Sequence, residues 1–272
     1  MARYNYPAQT VLITGASSGI GAAFARELAA RGADLILVAR RLDRLEALAG
    51  ELEAAHGITA TPLSFDLTSP TAGVDLHAAV TSRGLRATSV INNAGFGTFG
   101  RFLGEDVARL TQEIAVDVST PVLISHAFLG DLIEAGDGFL INVASMAAYS
   151  PIPRMAVYGA AKSFVLSFTE ALWAELRGTG VRTFVLSPGA TSTEFNDVVG
   201  TEDATSGARK RSPEQVVATA LAHLERRNPG PSVIDGASNR VAPVLGRLVS
   251  RRTMVTMTDR LTNPARRESR RD

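Results

Sequence analysis

The chain has 272 residues, and 28 Lys and Arg against 27 Asp and Glu leave a formal net charge of +1, so overall charge offers no case for nucleic-acid binding. There is no cysteine, which excludes disulfides and thiolate chemistry and suits a reducing compartment. Met1 to Pro7 lacks an apolar signal core and no run approaches the ~20 apolar residues of a membrane span, so a soluble cytoplasmic protein is expected.

Short apolar runs alternate with amphipathic stretches, the pattern of a parallel sheet covered by helices on both faces. A first strand is expected near 10 to 14. It leads into Thr14-Gly15-Ala16-Ser17-Ser18-Gly19-Ile20-Gly21 and then a helical pattern from Ala22 to Ala30. Gly15, Gly19 and Gly21 permit a tight turn and close approach of backbone to a pyrophosphate, while the helix N-terminus supplies amide donors and a positive dipole end. A second strand near 34 to 39 ends in Ala39-Arg40-Arg41, about 20 residues beyond the turn, where an adenosine ribose would lie. An acidic residue there would bind the 2′-hydroxyl of NAD. A guanidinium instead pairs with a 2′-phosphate, so NADP(H) is the expected cofactor, the alternative being that Arg40 and Arg41 merely solvate the next helix.

That helix is expected from Leu42 to His56, with Leu42, Leu45, Leu48, Ala49 and Leu52 on one face. Further strands are expected near 58 to 65, 88 to 91, 138 to 143, 181 to 186 and 232 to 234. Ser212, Pro213 and Gln215 mark a capped helix start, and Asn228-Pro229-Gly230 its end. His56, His77, His126 and His223 are scattered without a metal-ligand pattern.

Within Tyr158-Gly159-Ala160-Ala161-Lys162, the four-residue spacing sets a phenol and an ammonium on one helix face. A free tyrosine ionises near pH ~10, and a fixed cation beside it favours the phenolate and lowers that value. The same spacing arises by chance on many helices. Context decides here, because the Gly turn, Asn92-Asn93-Ala94-Gly95, Ser145, Tyr158 and Lys162 occur together in one order.

In those motifs the chain resembles the short-chain dehydrogenase/reductase family over roughly residues 8 to 235. The resemblance implies a single-domain Rossmann-type doubly wound parallel sheet flanked by helices, with a catalytic domain over 1–238 and a basic extension over 239–272. It implies that Ser145 hydrogen-bonds the substrate oxygen, Tyr158 exchanges the proton and Lys162 holds the nicotinamide ribose. It further implies that Ser17, Ser18 and Ile20 line the pyrophosphate with the three glycines, and that Asp66 and Leu67 lie beside the adenine. Asn92, Ala94 and Gly95 would line the cofactor, and in Pro188-Gly189-Ala190-Thr191-Ser192-Thr193 the last residue would hold the carboxamide. One position departs from the family pattern. Where the family has an asparagine in a long helix, credited with a proton relay to the lysine, this chain reads Val116-Asp117-Val118. An ionised Asp accepts hydrogen bonds but donates none.

Phe96, Phe99, Met146, Tyr149, Met155 and Phe195 suggest an apolar pocket, with 196 to 211 as a lid or a plain surface loop. The expected function is an NADP(H)-dependent reductase of a small apolar ketone or aldehyde, acting as a homodimer or homotetramer. A reductase of 3-oxoacyl thioesters or a non-catalytic NADP-binding regulator would share the same fold. Beyond Asn239, nine arginines face three acids, and Val241, Val244, Leu245, Leu248 and Val249 fall at helical spacing. Such a helix could lie on an anionic membrane, cover a neighbouring subunit, or pack on its own domain.

Overall fold

The computed structural model describes residues 4–205, 208–246 and 249–263. Seven strands form its sheet: β1 (Thr10–Thr14), β2 (Asp34–Ala39), β3 (Ala60–Ser64), β4 (Ser89–Asn92), β5 (Phe139–Val143), β6 (Arg182–Ser187) and β7 (Ser232–Ile234). All pairings are parallel and the spatial order is β3-β2-β1-β4-β5-β6-β7. The order reverses between β1 and β4. In an open parallel sheet that reversal leaves a crevice at the strands' carboxyl ends, where ligands bind.

The strands read as unbroken apolar runs because both faces are covered, yet their period of two persists in what each side chain touches. Val11, Ile13, Leu35, Leu37, Ile91, Phe139 and Ile141 pack into one core with α1 (Gly19–Ala29) and α2 (Leu42–His56). Leu12, Ile36, Val38, Val90 and Leu140 pack into the other, beneath α3 (Ala72–Thr81) and the long helical run on that face. That run is α4 (Val107–Ile114), a π-helical turn (Ala115–Ser119) and α5 (Thr120–Ala135). Contrary to the expectation from sequence, Val107–Ala135 is long and apolar enough to cross a membrane by length and composition. Here Ile124, Phe128 and Leu132 seat it on the sheet as a core helix.

The remaining helices are α6 (Ala156–Glu175), α7 (Phe195–Val199), α8 (Pro213–Leu224), α9 (Ala237–Gly246) and α10 (Arg251–Thr262). In α8 the Ser212–Gln215 capping box forms as read, but the helix stops at Leu224, short of Asn228-Pro229-Gly230. In α2, Leu45, Leu48, Ala49 and Leu52 are buried, whereas Leu42 is exposed at the first turn, before the helix reaches the sheet. Arg154 ties α10 to its own domain through Asp259 Oδ1 at 3.0 Å and Thr262 Oγ1 at 3.2 Å. Arg247, Leu248, Arg266, Arg267, Glu268, Arg270, Arg271 and Asp272, and the side chains of Val244 and Leu245, lie outside the described residues.

Candidate active site

The turn after β1 brings the backbone into positions that side chains would block. Gly15 and Gly19 have φ of +67° and +54°, and a Cβ on Gly21 would meet the Gly15 carbonyl at 2.3 Å. The first-turn N–H groups of α1 have no partner within the helix, Ser18 does not cap them, and no acidic residue sits among them. The Ser18 and Ser17 hydroxyls instead accept from Arg41, at 2.9 Å from Nη2 to Ser18 and at 3.0 and 3.2 Å from Nη2 and Nε to Ser17. Bare first-turn amides beside a guanidinium fit the phosphates of a dinucleotide. Arg41 is therefore the arginine seated on the turn, whereas the Arg40 side chain is exposed. Glu194 bridges Arg41 at 2.9 Å and Arg44 at 2.6 Å, and Arg44 and then Arg41 hold its carboxyl down at about 2.

Thr193 reaches the same turn, with Cγ2 3.0 Å from where a Cβ on Gly19 would stand. Ile20 packs partly into the core beneath it. Asp66 is exposed and its Oδ1 accepts from Thr68 N and Oγ1, both at 3.0 Å; Leu67 is buried, with its carbonyl accepting from Thr120 at 2.6 Å. Pro188 presents its carbonyl to Met146 N at 2.8 Å, and Gly189 lies so close to Asn239 that a Cβ would stand 2.4 Å from Nδ2.

Asn92 does not face the turn. Its amide donates to Asn142 Oδ1 at 2.8 Å and Ser125 Oγ at 3.2 Å, inside the core below α5. The neighbouring Asn93, which the sequence reading passed over, donates to the Thr14 carbonyl at 2.9 Å. The Thr14 hydroxyl in turn accepts from the backbone N–H of Asn93 at 2.9 Å and of Ala94 at 3.0 Å, pinning the Asn-Ala-Gly segment to the end of β1.

Ser145, just beyond β5, caps a short 3₁₀ turn by accepting from Ala147 N at 3.1 Å, and it favours the ionised form of the Tyr158 phenol. On α6, Lys162 is buried with Nζ 5.6 Å from the centroid of the Tyr158 ring, donating to the Val143 carbonyl at 3.3 Å. Asp117, on the π-helical turn and fully buried, meets Lys162 Nζ at 3.5 Å through Oδ2, while Oδ1 accepts from Phe96 N at 3.1 Å. A Cβ on Gly95 would stand 2.6 Å from Asp117 Oδ1 and 3.0 Å from Lys162 Nζ, so only glycine leaves room for the pair. The π turn widens the helix at this point, which is how such turns place a side chain off the regular ladder.

Burial pushes the Asp117 carboxyl up to about 6, against the pull of Lys162 and of the Phe96 N–H. Burial also opposes the Lys162 charge, but Asp117 and Tyr158 beside it leave the ammonium raised. Lys162 lowers the Tyr158 phenol, as the spacing implies, but burial outweighs it. Burial raises it, Lys162 and Ser145 lower it, Asp117 raises it again, and the balance lies above its ordinary value. The phenol thus keeps its proton at neutral pH.

Two candidate pocket residues face Tyr158. The Phe195 ring lies 5.4 Å from it, and Gly97 is bounded by Tyr158, Phe195 and the Met155 methyl, which a Cβ would meet at 3.1 to 3.3 Å. Tyr149 points instead to Ser187 Oγ at 3.3 Å, and Phe96 lies under the Arg109 guanidinium at 5.7 Å. Glu113, fully buried one turn before Asp117, escaped the sequence reading, although an acid four residues ahead of Asp117 was its visible signal.

The family profile described as short chain dehydrogenase matches residues 9–204. A sulfoacetaldehyde reductase of Chromohalobacter salexigens is 38% identical over 224 residues, covering 78% of this chain and 84% of that protein. A 7β-hydroxysteroid dehydrogenase of Collinsella aerofaciens is 33% identical over 182 residues, 67% of this chain and 68% of its own. A solved short-chain dehydrogenase from Sphingobium yanoikuyae in complex with NADPH superposes with a TM-score of 0.78 at 31% identity, covering 88% of this chain and 93% of that one. With these matches, and with the sheet order and Gly turn described, the chain belongs to the short-chain dehydrogenase/reductase family of oxidoreductases.

Proposed function

We propose that the chain is an NADP(H)-dependent carbonyl reductase acting on a small apolar ketone or aldehyde. The observation that carries this reading is the Tyr158 phenol, held protonated between Ser145 and Lys162 and walled by Phe195 and Met155. Ser145 orients the carbonyl oxygen and stabilises the charge that develops on it, and Tyr158 gives that oxygen its proton. Lys162 orients the nicotinamide ribose and keeps a positive charge near the phenol. Arg41, on the Gly turn, supports the choice of NADP(H) over NAD(H), because a 2′-phosphate would replace Glu194 as its anionic partner. NADPH, when bound, supplies the hydride.

The relatives act by name on substrates as different as sulfoacetaldehyde and a hydroxysteroid, so substrate size and charge are read from the wall of this site. Phe195 and Met155 favour an apolar group there over a sulfonate. The test is NADPH oxidation with a panel of apolar ketones, anionic aldehydes and 3-oxoacyl thioesters. The fastest turnover is expected with apolar ketones or aldehydes, with NADPH above NADH. Preference for the anionic aldehydes or thioesters would reject the apolar assignment.

A further inference from the structure

The short helix α7 is a strap with a tie at either end. Its root, 190–193, is fixed by Ser192 N donating to the Arg211 carbonyl and Arg211 N to the Ala190 carbonyl, each at 2.9 Å. Just past that root, Glu194 Oε2 accepts from Arg41 Nη1 at 2.9 Å and Oε1 from Arg44 Nη1 at 2.6 Å, which fastens the strap to the start of α2. Towards the other end the Val198 carbonyl accepts from Arg109 on α4. Because α2 follows β2 and α4 follows β4, the two ties lie on opposite sides of the crevice between β1 and β4. Glu194 thus stands between Thr193, which touches the Gly turn, and Phe195, which faces the Tyr158 ring. The other bonds of Arg41 go to Ser17 and Ser18, so Glu194 rests on the guanidinium that the Gly turn would present to a 2′-phosphate. With its carboxyl held at about 2 by Arg44 and then Arg41, Glu194 is an anion at neutral pH, and two anions on one guanidinium repel each other.

We propose that Glu194 is an internal stand-in for the 2′-phosphate of NADP(H): it competes with that phosphate for Arg41, so the phosphate loosens the strap and the change reaches Phe195 beside the catalytic tyrosine. The inference rests on the NADP(H) part of the reading above. A phosphate monoester carries about −1.5 to −2 charges at pH 7 against one for the carboxylate, and the Ser17 and Ser18 hydroxyls beside Arg41 can donate to it as well. The contest for Arg41 therefore favours the phosphate. Arg44 keeps Glu194 near α2, so the carboxylate goes from two partners to one. Both ion pairs are partly exposed, which keeps the exchange within reach of one phosphate. A nucleotide without the 2′-phosphate brings no anion to that arginine and leaves the strap fastened. Glu194 is in this sense a specificity-determining residue: it acts through Arg41 at one end and through its chain neighbour Phe195 at the other.

The probes are adenosine 2′,5′-bisphosphate and adenosine 5′-monophosphate, which differ only in the 2′-phosphate and carry no nicotinamide. Glu194→Gln keeps the size of the side chain and an acceptor for Arg44 but removes the charge. By calorimetric titration it should bind the bisphosphate about fivefold more tightly than the native chain does, the upper end of what an exposed ion pair is worth, and the monophosphate equally. The strap is read by hydrogen exchange at the Val198 and Gly200 amides, which donate to the Glu194 and Asn196 carbonyls. In the native chain the bisphosphate should speed that exchange and the monophosphate should leave it unchanged. In Glu194→Gln it should be fast with either nucleotide or with none. Bisphosphate binding that is unchanged or weaker in Glu194→Gln, or exchange that the bisphosphate slows or leaves alone in the native chain, would overturn the stand-in while leaving the NADP(H) reading intact. A native chain that binds both nucleotides equally would reject that reading and the stand-in with it.

Discussion

At the nucleotide end of the site Arg41 meets Ser17, Ser18 and Glu194 partly in the open, whereas at the proton end Glu113 and Asp117 lie at zero exposure. The guanidinium of Arg41 selects by geometry, since its donors match an anion's oxygens. The two acids are held where burial moves their titration to about 7 and about 6, so they select by proton affinity. One region recognises a charge and is screened by salt; the other manages a proton and is insulated from salt. Mutations at the two ends should therefore fail in different ways.

The largest failure belongs between them. Tyr158→Phe keeps the ring against Phe195 and removes the proton that the phenol would transfer. Turnover should fall about 10²–10⁴-fold while NADPH still binds, as measured by steady-state rates beside a binding titration. Near-native turnover would move the chemistry away from this helix.

Why one end was readable in sequence and the other was not follows from the sheet. The Gly turn was legible because close backbone approach leaves few residue choices, and the strands because burial on both faces leaves unbroken apolar runs. Strand parity sorts the residues beside it. Asn92 falls in step with Val90, which packs under α5, so its side chain enters the core while Asn93 turns to Gly15. Arg40 falls in step with Ile36 and Val38 on that same face, whereas Arg41 falls in step with Leu35 and Leu37 on the face that carries α1. Counting by two from the strand cores adds Asn93 and separates Arg41 from Arg40. Glu113 was harder to read, because its partner Thr98 lies on a separate loop and its altered titration comes from burial that no local pattern records.

Parity also sharpens the cofactor test. Arg41→Ala should weaken NADPH binding by roughly 1.5–3 kcal/mol, the scale of hydrogen bonds to a charged group, and leave NADH nearly unchanged. The loss should shrink as salt rises, and Arg40→Ala should cost less, its side chain being exposed. Calorimetric titration of both variants with both cofactors checks this. An equal loss of NADPH and NADH affinity in Arg41→Ala, or a larger loss in Arg40→Ala, would break the assignment.

The smallest expected effect tests the buried end through pH alone. Asp117, at about 6, is mostly ionised at neutral pH, and its charge raises both Lys162 and Tyr158. Asp117→Asn removes that charge but retains an acceptor for the Phe96 N–H. Both raised groups should then lose their protons more easily. The basic limb of kcat/KM against pH should move downward by on the order of one pH unit, with a smaller change at its plateau. Salt should leave this shift nearly unaltered, because the pair is enclosed, in contrast to the salt-sensitive loss at Arg41. A basic limb that stays in place or moves upward would mean that Asp117 is protonated beside Lys162, donating and accepting as an amide would, and the contrast between an exposed charge reader and a buried proton store would fail at its second member.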